Sequence, residues 1–370
     1  MTLSSKIGSV IVVLVVIALA SLAFAVSYDS APAPAQILPS NAIRMKAIVH
    51  RQYGSPDVLK LEDVEKPTPA DNQLLIKVRA ASVNPLEWHF MRGTPYVMRM
   101  QSGLGRPKSI RLGVDFSGTV EAVGKEVKLF KVGDEIFGTA DGALAGYVTS
   151  TEVGLALKPT DITFQQAASV PIAGITALQG LRDKGRIQPG QKVLINGAAG
   201  GVGAFAVQIA KSFGAEVTGV CSTRNVEMVR SIGADHVIDY TREDFARSGK
   251  RYDLFLDCHV NHSLWDCRRV LNPRGIYVLA GGPNGGLIAA LVGFFEALFI
   301  MFVLSRFVSR KLVVFMAKMN KDDLNCLREL MEAGTVRPVI DRRYSLREVP
   351  EAIRYLKEGH ARGKVVITLE

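Results

Sequence analysis

The chain has 370 residues, 48% of them hydrophobic, which is enough for two domains with sizeable cores. This composition excludes a disordered protein and a small disulfide scaffold. A net charge of +10 and an isoelectric point near 9.4 favour an acidic partner, either anionic lipid or nucleic acid. Because we find no nucleic-acid-binding module, we expect membrane lipid and no nucleic acid. Four scattered cysteines are typical of a reducing compartment.

The N-terminal segment Ile7–Val26 contains twenty residues without a charge. A helix of this length spans about 30 Å, enough to cross the hydrocarbon core of a bilayer. We interpret it as an uncleaved transmembrane helix; the alternative is a signal peptide, because Ala23-Phe24-Ala25 resembles a cleavage site. The proline-containing stretch Ser27–Ser40 is typical of a polar linker. Residues 1–43 are therefore predicted to form a membrane anchor with its linker.

From Met45 to about Lys158, short apolar or alternating segments are separated by glycine-containing turns. Closely spaced strands of this kind predict a compact, barrel-like β domain. The predicted strands are Lys46–His50, Val58–Glu62, Leu74–Val83, Gly118–Val123 and Glu135–Gly138.

A glycine-rich turn lies in the middle of the chain, within Val193–Lys211. A short apolar run enters it, and a helical pattern with one apolar face leaves it. Gly200 and Gly203 take the second and third glycine positions of a dinucleotide-binding fingerprint that begins at Ala198. Such a turn brings backbone N–H groups and a helix N-terminus to a pyrophosphate. The alternative is a tight turn in an unrelated α/β fold.

The residues after the next strand predict which dinucleotide binds. An NAD site usually ends that strand with an acidic residue that holds the ribose 2′-hydroxyl. Here the strand Glu216–Cys221 is followed by Ser222, Thr223, Arg224 and Asn225. Hydroxyl groups and a guanidinium suit a 2′-phosphate, so we expect NADPH as the cofactor. The alternative is that Arg224 is a solvated residue in the first turn of a helix.

The following segments continue the alternation of strands and helices. Strands are predicted at Asp235–Asp239, Tyr252–Asp257 and Gly275–Ala280, and polar or amphipathic helices at Asn225–Ile232 and Ser263–Leu271. Such alternation predicts an α/β fold with a doubly wound parallel sheet.

A second apolar stretch, Leu287–Leu304, is interrupted by Glu296 and followed by Arg306, Arg310 and Lys311. A carboxylate at mid-depth of a bilayer is costly, and a spanning helix here would split the sheet domain. We interpret the stretch as a helix in the membrane interface, with basic residues at lipid headgroups. Two alternatives are a buried wall of a substrate pocket and a contact in a homodimer.

Several segments of the chain carry a family resemblance: MKAIVHRQYGSPDVLKLEDVEKPTP, VRAASVNPLEWHFMRG, LGVDFSGTVEAVGKEVKLFKVGDEIFG, QAASVPIAGITALQGL, INGAAGGVG and GHARGKVVITL. They span about Met45 to Leu369 and resemble the medium-chain dehydrogenase/reductase superfamily, in its zinc-free quinone oxidoreductase (ζ-crystallin-like) branch. The resemblance implies a GroES-like β-barrel catalytic domain at 44–165 and a Rossmann NADP-binding domain at 166–330. It also implies a C-terminal return of residues 331–370 to the catalytic domain.

The resemblance also bears on metal content. Zinc-binding relatives place a cysteine where Asn84 stands and a His-Glu pair where Val114-Asp115 stands. A catalytic zinc needs three protein ligands, so we predict no metal. The run Cys258–Cys267 contains two histidines but lacks paired Cys-x-x-Cys spacing, and we interpret it as core thiols with a polar loop.

Without a metal, the carbonyl oxygen of a substrate needs another electrophile when hydride arrives, and water could supply the proton. The resemblance makes Asn84 the first candidate for this donor, with Tyr53 and Glu87 as weaker ones. The alternative for Asn84 is that it caps the turn before Pro85.

For the cofactor, the resemblance implies that Thr176 contacts the nicotinamide and that Tyr240 lies beside the adenosine phosphate. Relatives often carry a lysine where Asn225 stands, so Arg224 is the nearest cation here. The other predicted cofactor residues belong to the glycine turn and to the end of the last sheet strand: Ala199, Gly200, Gly201, Val202, Gly203, Leu279, Ala280 and Gly281.

These patterns predict a zinc-independent, NADPH-dependent oxidoreductase that transfers hydride to a quinone or an α,β-unsaturated carbonyl compound. We expect its N-terminal helix to tether it to a membrane, with the catalytic domains facing the cytoplasm, where NADPH is available. One alternative is a cofactor-binding protein of ζ-crystallin type, with a structural or RNA-binding role and little catalysis. Another alternative is an alcohol dehydrogenase.

Overall fold

The computed structural model describes residues 27–35, 37–280 and 311–369. The two apolar segments Ile7–Val26 and Leu287–Leu304 lie outside the described residues, as does Gly281. Their predicted roles in membrane binding, subunit contact and cofactor binding therefore stay predictions. Within the described part of the chain, no helix combines the length and the apolar character needed to cross a membrane.

The N-terminal half folds into mainly antiparallel strands, because short runs of alternating burial are separated by turns. The strands are β1 (Arg44–Val49), β2 (Lys60–Glu65), β3 (Gln73–Val83), β4 (Asp115–Val123), β5 (Glu135–Thr139), β6 (Tyr147–Thr151) and β7 (Leu155–Leu157). β1 pairs with β2, while the long strand β3 pairs with both β4 and β6. Two register shifts in the β3–β4 pair bend these strands and so curve the barrel-like sheet.

One face of this sheet forms a core of apolar side chains. Leu74, Ile76, Phe116 and Ile136 are fully buried in it. Each such side chain contributes about 1.5–3 kcal/mol relative to an exposed position.

Three short helices accompany these strands: α1 (Pro85–Arg92), α2 (Arg99–Ser102) and α3 (Phe164–Ala168). α1 follows β3 directly. It begins where Pro85 presets the first helical φ, and it ends at Gly93, which adopts a left-handed conformation with φ 60°. The start of α1 therefore lies next to the end of β3.

A second sheet has six parallel strands: β8 (Lys192–Asn196), β9 (Glu216–Cys221), β10 (His236–Asp239), β11 (Tyr252–Asp257), β12 (Leu271–Leu279) and β13 (Lys311–Val314). Their spatial order is β10-β9-β8-β11-β12-β13. After β8, the chain adds β9 and β10 on one side of that strand and then β11, β12 and β13 on the other side. In such sheets a ligand crevice lies at the carboxyl ends of the strands beside this reversal. The predicted α/β fold with a Rossmann-like parallel sheet is confirmed.

The helices that accompany this sheet are α4 (Pro171–Gln179), α5 (Gly201–Ser212), α6 (Val226–Ser231), α7 (Leu264–Arg269) and α8 (Lys321–Glu332). The last helix, α9 (Val349–Lys357), packs on the core of the barrel-like sheet. α5 is enclosed almost completely, because the eight residues from Gly203 to Ala210 are all buried. A helix with apolar residues on every side needs such surroundings. Its N-terminus is held firmly at the edge of the sheet.

The C-terminal strands return to the first sheet. β14 (Ile340–Ser345) lies parallel to β15 (Lys364–Thr368), and β15 pairs antiparallel with β3. Just before β15, the Gly363 N–H donates to the Ala199 carbonyl oxygen at 2.8 Å, and Gly363 forms a β-bridge with Gly200. The return therefore joins the barrel-like sheet to the glycine turn.

Residues Ser27–Ala35, here called the N-terminal strap, are bonded to the barrel-like sheet and its loops. The Ser30 N–H donates to the Gly105 carbonyl oxygen at 2.9 Å, and the Ala33 N–H donates to the Arg51 carbonyl oxygen at 2.9 Å. Asp29 forms an ion pair with Arg99 at 2.9 Å. The sequence predicted a polar linker at Ser27–Ser40, and backbone and charged partners hold this part of it on the barrel-like sheet and its loops.

Candidate active site

The glycine turn after β8 brings the backbone into close contact with α5. Gly197 has a positive φ of 77°, and Gly200 is the residue that precedes the first turn of α5. A Cβ atom on Gly203 would lie 2.1 Å from the Gly197 carbonyl oxygen, so a larger residue does not fit. The first N–H groups of α5 therefore lie at the carboxyl end of β8, where a pyrophosphate can accept hydrogen bonds.

The predicted turn residues differ in their exposure. Ala199 is buried, whereas Gly200, Gly201 and Val202 are half-buried. A Cβ atom on Gly201 would lie 3.1 Å from Cδ of Lys364, so this lysine side chain packs on the start of α5. The turn thus presents its backbone between the parallel sheet and the C-terminal return.

The residues after β9 contact both the neighbouring strand and the return. Arg224 donates from Nη2 to the His360 carbonyl oxygen at 2.5 Å, across 136 positions of the chain. The Thr223 hydroxyl donates to Asp239 Oδ2 at 2.7 Å. Tyr240 is 50% exposed, and its N–H donates to the Cys221 carbonyl oxygen at 3.0 Å, which places it beside the end of β9.

Asn225 lies in the same group and contains an unsatisfied atom. Its Nδ2 donates to Ser222 Oγ at 3.2 Å, but its buried Oδ1 has no partner among the described residues. A buried oxygen without a donor is costly, so a bound group with a hydroxyl donor would satisfy it. The ribose of a dinucleotide carries such hydroxyls. Together with the close-packed glycine turn, this oxygen makes the residues fit a dinucleotide.

Thr176 lies on α4. Its hydroxyl donates to the Ile172 carbonyl oxygen at 2.7 Å, one helical turn earlier. The Ile172 N–H in turn donates to Oδ1 of Asp115 on β4 at 3.1 Å. Asp115 therefore ties the first sheet to the helix that carries Thr176.

Leu279 ends β12 and Ala280 follows it, and both are half-buried. The Ala280 N–H donates to the Asp257 carbonyl oxygen at 2.9 Å. This bond holds the end of β12 next to the end of β11, at the carboxyl edge of the parallel sheet.

Four polar side chains, Asn84, Glu87, Asp115 and Lys364, form what we call the buried cluster; each is at most 4% exposed. Asn84 Nδ2 donates to Asp115 Oδ2 at 3.0 Å, and Lys364 Nζ donates to Asn84 Oδ1. Lys364 Nζ also lies 3.5 Å from Asp115 Oδ2. Glu87 Oε2 accepts from the Asn84 N–H at 2.7 Å. Asn84 is the N-cap of α1 and forms a capping box with Glu87, and its amide also bonds to Asp115 and Lys364.

The electrostatics of the buried cluster raise the pKa values of both carboxyl groups. Complete burial, together with the nearby charge of Asp115, raises the pKa of Glu87 from 4.5 to about 7. Burial also raises the pKa of Asp115, and the Lys364 ammonium and the hydrogen bond from Asn84 oppose this shift. Glu87 Oε1 has no hydrogen-bond partner among the described residues. Glu87 therefore holds a proton easily near neutral pH.

Tyr53 lies at the other end of α1, a helix about 12 Å long. Its hydroxyl donates to the Gly103 carbonyl oxygen at 2.7 Å and lies 2.9 Å from Ser102 Oγ. Its ring is stacked under the Arg99 guanidinium, 4.3 Å from the ring centre. An open groove of about 690 Å³ borders Tyr53 and the N-terminal strap. The structure thus brings Asn84 and Glu87 together but holds Tyr53 elsewhere.

The described residues contain no group of three or more His, Cys, Asp or Glu side chains that could hold a metal ion. Asn84 stands where the resemblance implies a zinc ligand in zinc-binding relatives, and the Lys364 ammonium that bonds to its Oδ1 would repel a cation. In the Cys258–Cys267 run, His262 pairs with Asp244 at 3.1 Å, and Cys267 is buried. The residues present therefore do not fit a catalytic zinc.

Three residues of this region had no predicted role. Lys364 lies in a segment that carried the resemblance, and Asp115 was noted only as a replaced zinc ligand. Asp239 ends β10 beside Thr223 and lies 3.6 Å from Arg242 Nε. No spacing pattern links these positions, since they meet only when distant strands pair.

Two family models match the chain. The alcohol dehydrogenase GroES-like domain matches residues 70–178, and the model described as zinc-binding dehydrogenase matches residues 232–367. The first match covers most of the barrel-like sheet and the second covers the later strands of the parallel sheet with the return.

Curated relatives and solved structures agree with these matches. The chain is 34% identical to 2-methylene-furan-3-one reductase from Solanum lycopersicum, over 92% of this chain and 84% of that protein. It is also 34% identical to the chloroplastic NADPH-dependent alkenal/one oxidoreductase from Arabidopsis thaliana, with the same coverage. The structure of the quinone oxidoreductase from Coxiella burnetii superimposes with a TM-score of 0.77 at 32% identity, covering 89% of this chain and 100% of that one. The chain therefore belongs to the medium-chain dehydrogenase/reductase superfamily, in its quinone oxidoreductase branch.

Proposed function

We propose that this protein reduces quinones or α,β-unsaturated carbonyl compounds with NADPH and without zinc. The observation that carries the proposal is the Asn84 amide, which Lys364 and Asp115 hold at the junction of the barrel-like sheet and the glycine turn. Relatives named for furanone and alkenal/one reduction, at 34% identity, support the substrate class. An NAD(P)H-dependent reductase of this general kind is what the family membership already implies.

The residues that would hold the cofactor lie along one edge of the parallel sheet. The first N–H groups of α5 would bind the pyrophosphate, and the Asn225 Oδ1 would accept from a ribose hydroxyl. Arg224 and Thr223 follow β9, and a guanidinium and a hydroxyl there would suit a 2′-phosphate, which favours NADPH. The carboxylate of Asp239 opposes this preference, so Arg224 must outweigh it. When bound, NADPH supplies a hydride.

Asn84 is the proposed donor to the substrate carbonyl oxygen. Its Nδ2 carries two hydrogens: one bonds to Asp115, and no bond from the second to another described residue is present. A neutral N–H group that is already oriented stabilises the negative charge that develops on that oxygen. Removing one such donor typically lowers kcat by about 100- to 1,000-fold. The Glu87 carboxyl group, with a pKa of about 7, accepts from the Asn84 backbone N–H and contributes to the local charge.

Membrane attachment and dimer formation also belong to the proposal. The uncharged sequence of Ile7–Val26 supports an anchor, with the catalytic domains in the cytoplasm. β13 is the last strand of the described sheet, and among the described strands only β12 pairs with it. An open edge of this kind suits pairing with a second copy. Fractionation of cells and light scattering of the purified protein would test these two points.

The test of the main proposal uses the full chain, purified in detergent. NADPH and NADH are each mixed with a set of quinones, alkenones and primary alcohols, and the absorbance of the cofactor is followed. We expect rapid NADPH oxidation with quinones or alkenones. Asn84→Ala should lower kcat by about 100-fold while NADPH affinity is kept. Ser82→Ala is the control, because it removes another hydrogen bond to Asp115 (3.1 Å) but leaves the amide.

Other outcomes would favour the alternatives. NADPH binding without turnover of any substrate would support the cofactor-binding or RNA-binding alternative. If the protein holds one zinc per chain and oxidises alcohols, and if removal of the zinc abolishes that activity, the result would support an alcohol dehydrogenase.

A further inference from the structure

Lys364 is a buried lysine that bonds to the Asn84 amide and also packs on the glycine turn. It is the first residue of β15 and is 3% exposed. The register of β15 against β3 pairs Val365 with Val83, so Lys364 and Asn84 are the next residues along the two strands. The strand pairing, rather than a chance side-chain rotamer, therefore brings the lysine to the amide.

The contacts of Lys364 determine which way the Asn84 amide points. An ammonium group only donates hydrogen bonds, and the Asp115 carboxylate accepts them. Oδ1 must therefore face Lys364 and Nδ2 must face Asp115, as the two bonds show. The reversed amide would place N–H against the ammonium and C=O against the carboxylate. Lys364 thus keeps Nδ2 as the donating side.

The other part of the lysine side chain lies on the cofactor turn. Its Cδ would contact a Cβ atom on Gly201 at 3.1 Å, and the preceding Gly363 N–H bonds to the Ala199 carbonyl oxygen at 2.8 Å. One side chain therefore reaches from the first residue of α5 to the amide of Asn84. Any shift of the glycine turn relative to the barrel-like sheet would move both contacts.

We propose that Lys364 is a positioning residue for the reduction: it orients and polarises the Asn84 amide and keeps it in register with the glycine turn. The inference rests on the proposed function, since it assigns a role to Lys364 through Asn84. Donation to Oδ1 strengthens the opposite Nδ2–H as a donor, because linked hydrogen bonds polarise one another. Lys364 itself does not touch the substrate in this proposal.

The first experiment compares Lys364→Met and Lys364→Gln with the full-length wild-type protein. Methionine keeps the packing on Gly201 but removes the donor and the charge, whereas glutamine keeps a donor. We expect kcat with an alkenone to fall by about 10- to 100-fold in Lys364→Met, because a misoriented hydrogen-bond donor lowers the rate by factors of this order. Lys364→Gln should recover part of the loss. The Kd for NADPH, measured by fluorescence titration, should stay within about twofold because the packing remains.

The second experiment tests whether Lys364 acts through Asn84. In the Asn84→Ala background, Lys364→Met should cause no further loss of kcat, because the group it orients is already gone. If the two losses multiply, Lys364 acts independently of Asn84 and the proposal is wrong. An unchanged kcat in Lys364→Met would also overturn it, as would a loss confined to NADPH affinity.

Lys364→Met leaves the buried Asp115 carboxylate without its counter-ion, so this variant can fail to fold. The variant Lys364→Met/Asp115→Asn removes both charges, and its kcat should fall as in Lys364→Met. Activity equal to that of Asp115→Asn alone would contradict the proposal.

The wild-type rate distinguishes failure of the proposed function from failure of the role of Lys364. A wild-type protein without reductase activity overturns the proposed function, and the role of Lys364 with it. An active wild type with an unaffected Lys364→Met overturns only the latter.

Discussion

The glycine turn and the buried cluster meet at one junction but are built in opposite ways. The turn is a continuous segment whose backbone is shaped by Gly197 and Gly203 and by the helix that follows. The buried cluster gathers side chains from β4, β15 and the start of α1, and its Lys364–Asn84 bond joins positions 280 residues apart. The turn offers main-chain N–H groups, and the cluster offers charged and amide side chains.

This difference has an energetic consequence. A backbone turn is sensitive to volume, because an added methyl group meets a carbonyl oxygen that cannot move away. A buried cluster is sensitive to charge, because removal of one partner leaves another buried and unpaired. Substitutions at the two regions should therefore fail in different ways.

The largest expected effect is on the cluster. Asp115→Ala leaves the Lys364 ammonium buried without its counter-ion, so we expect a loss of about 3–5 kcal/mol in the free energy of unfolding, measured with urea. Asp115→Ala/Lys364→Met should recover most of it. Asp71→Ala is the control, because its ion pair with Lys125 is exposed, and it should cost less than about 1 kcal/mol. Equal losses in the free energy of unfolding for Asp115→Ala and Asp71→Ala would contradict the view that burial makes the cluster sensitive to charge.

In the glycine turn, the substitution to compare with Asp115→Ala is Gly203→Ala. Its Cβ atom would lie 2.1 Å from the Gly197 carbonyl oxygen, so we expect destabilisation of about 1–3 kcal/mol and loss of NADPH binding. At Gly200 the nearest atom, the same oxygen, would be 3.4 Å away, so Gly200→Ala should keep the fold. Thermal unfolding and calorimetric titration measure both effects. A stable Gly203→Ala protein with normal NADPH affinity would contradict this account of the turn.

Arg224→Ala tests the cofactor preference at the residues that follow β9. Loss of a charge-assisted bond to the 2′-phosphate should weaken NADPH binding by about 1.5–3 kcal/mol and leave NADH binding almost unchanged. Arg230→Ala is the matched control, because this exposed arginine pairs with Glu227 on α6. Equal weakening of both cofactors, or a wild-type preference for NADH, would refute the assignment.

The pH dependence of stability tests Glu87. Its pKa is raised from 4.5 to about 7 in the folded protein, so the folded state binds more protons than the unfolded state between these values. The contribution of Glu87 to stability is therefore present below pH 4.5 and is lost as the pH rises through 7. Glu87→Gln should raise the free energy of unfolding at pH 8 by about 1–2 kcal/mol, with a gain that shrinks towards pH 5. A gain that is independent of pH would show that ionisation is not its cause.

The smallest expected effect concerns the N-terminal strap. Asp29 pairs with Arg99 but its side chain is 65% exposed, so Asp29→Ala should cost at most about 1 kcal/mol. Urea unfolding of this variant beside Asp115→Ala compares an exposed and a buried carboxylate within one protein. A loss as large as that of Asp115→Ala would show that the strap is as critical as the cluster.

Much of the framework follows from the sequence. Apolar runs such as Tyr252–Asp257 are strands because they are buried on both faces, and the structure places β11 there. The family was predicted from the same segments and is confirmed by the relatives. Five strands, β6, β7, β13, β14 and β15, were not predicted. They are short, and their pairing partners rather than their own pattern define them.

By itself, the sequence determined the glycine turn and the parallel sheet, because both depend on consecutive residues with strong local preferences. Only the tertiary structure decided that Lys364 meets Asn84, that Asp239 approaches Thr223, and that the strap is bonded to the barrel-like sheet. These contacts join elements far apart in the chain, and their positions depend on strand register, which a local pattern does not specify. For the same reason the sequence did not show that Tyr53, a weaker candidate donor, lies at the end of α1 away from Asn84.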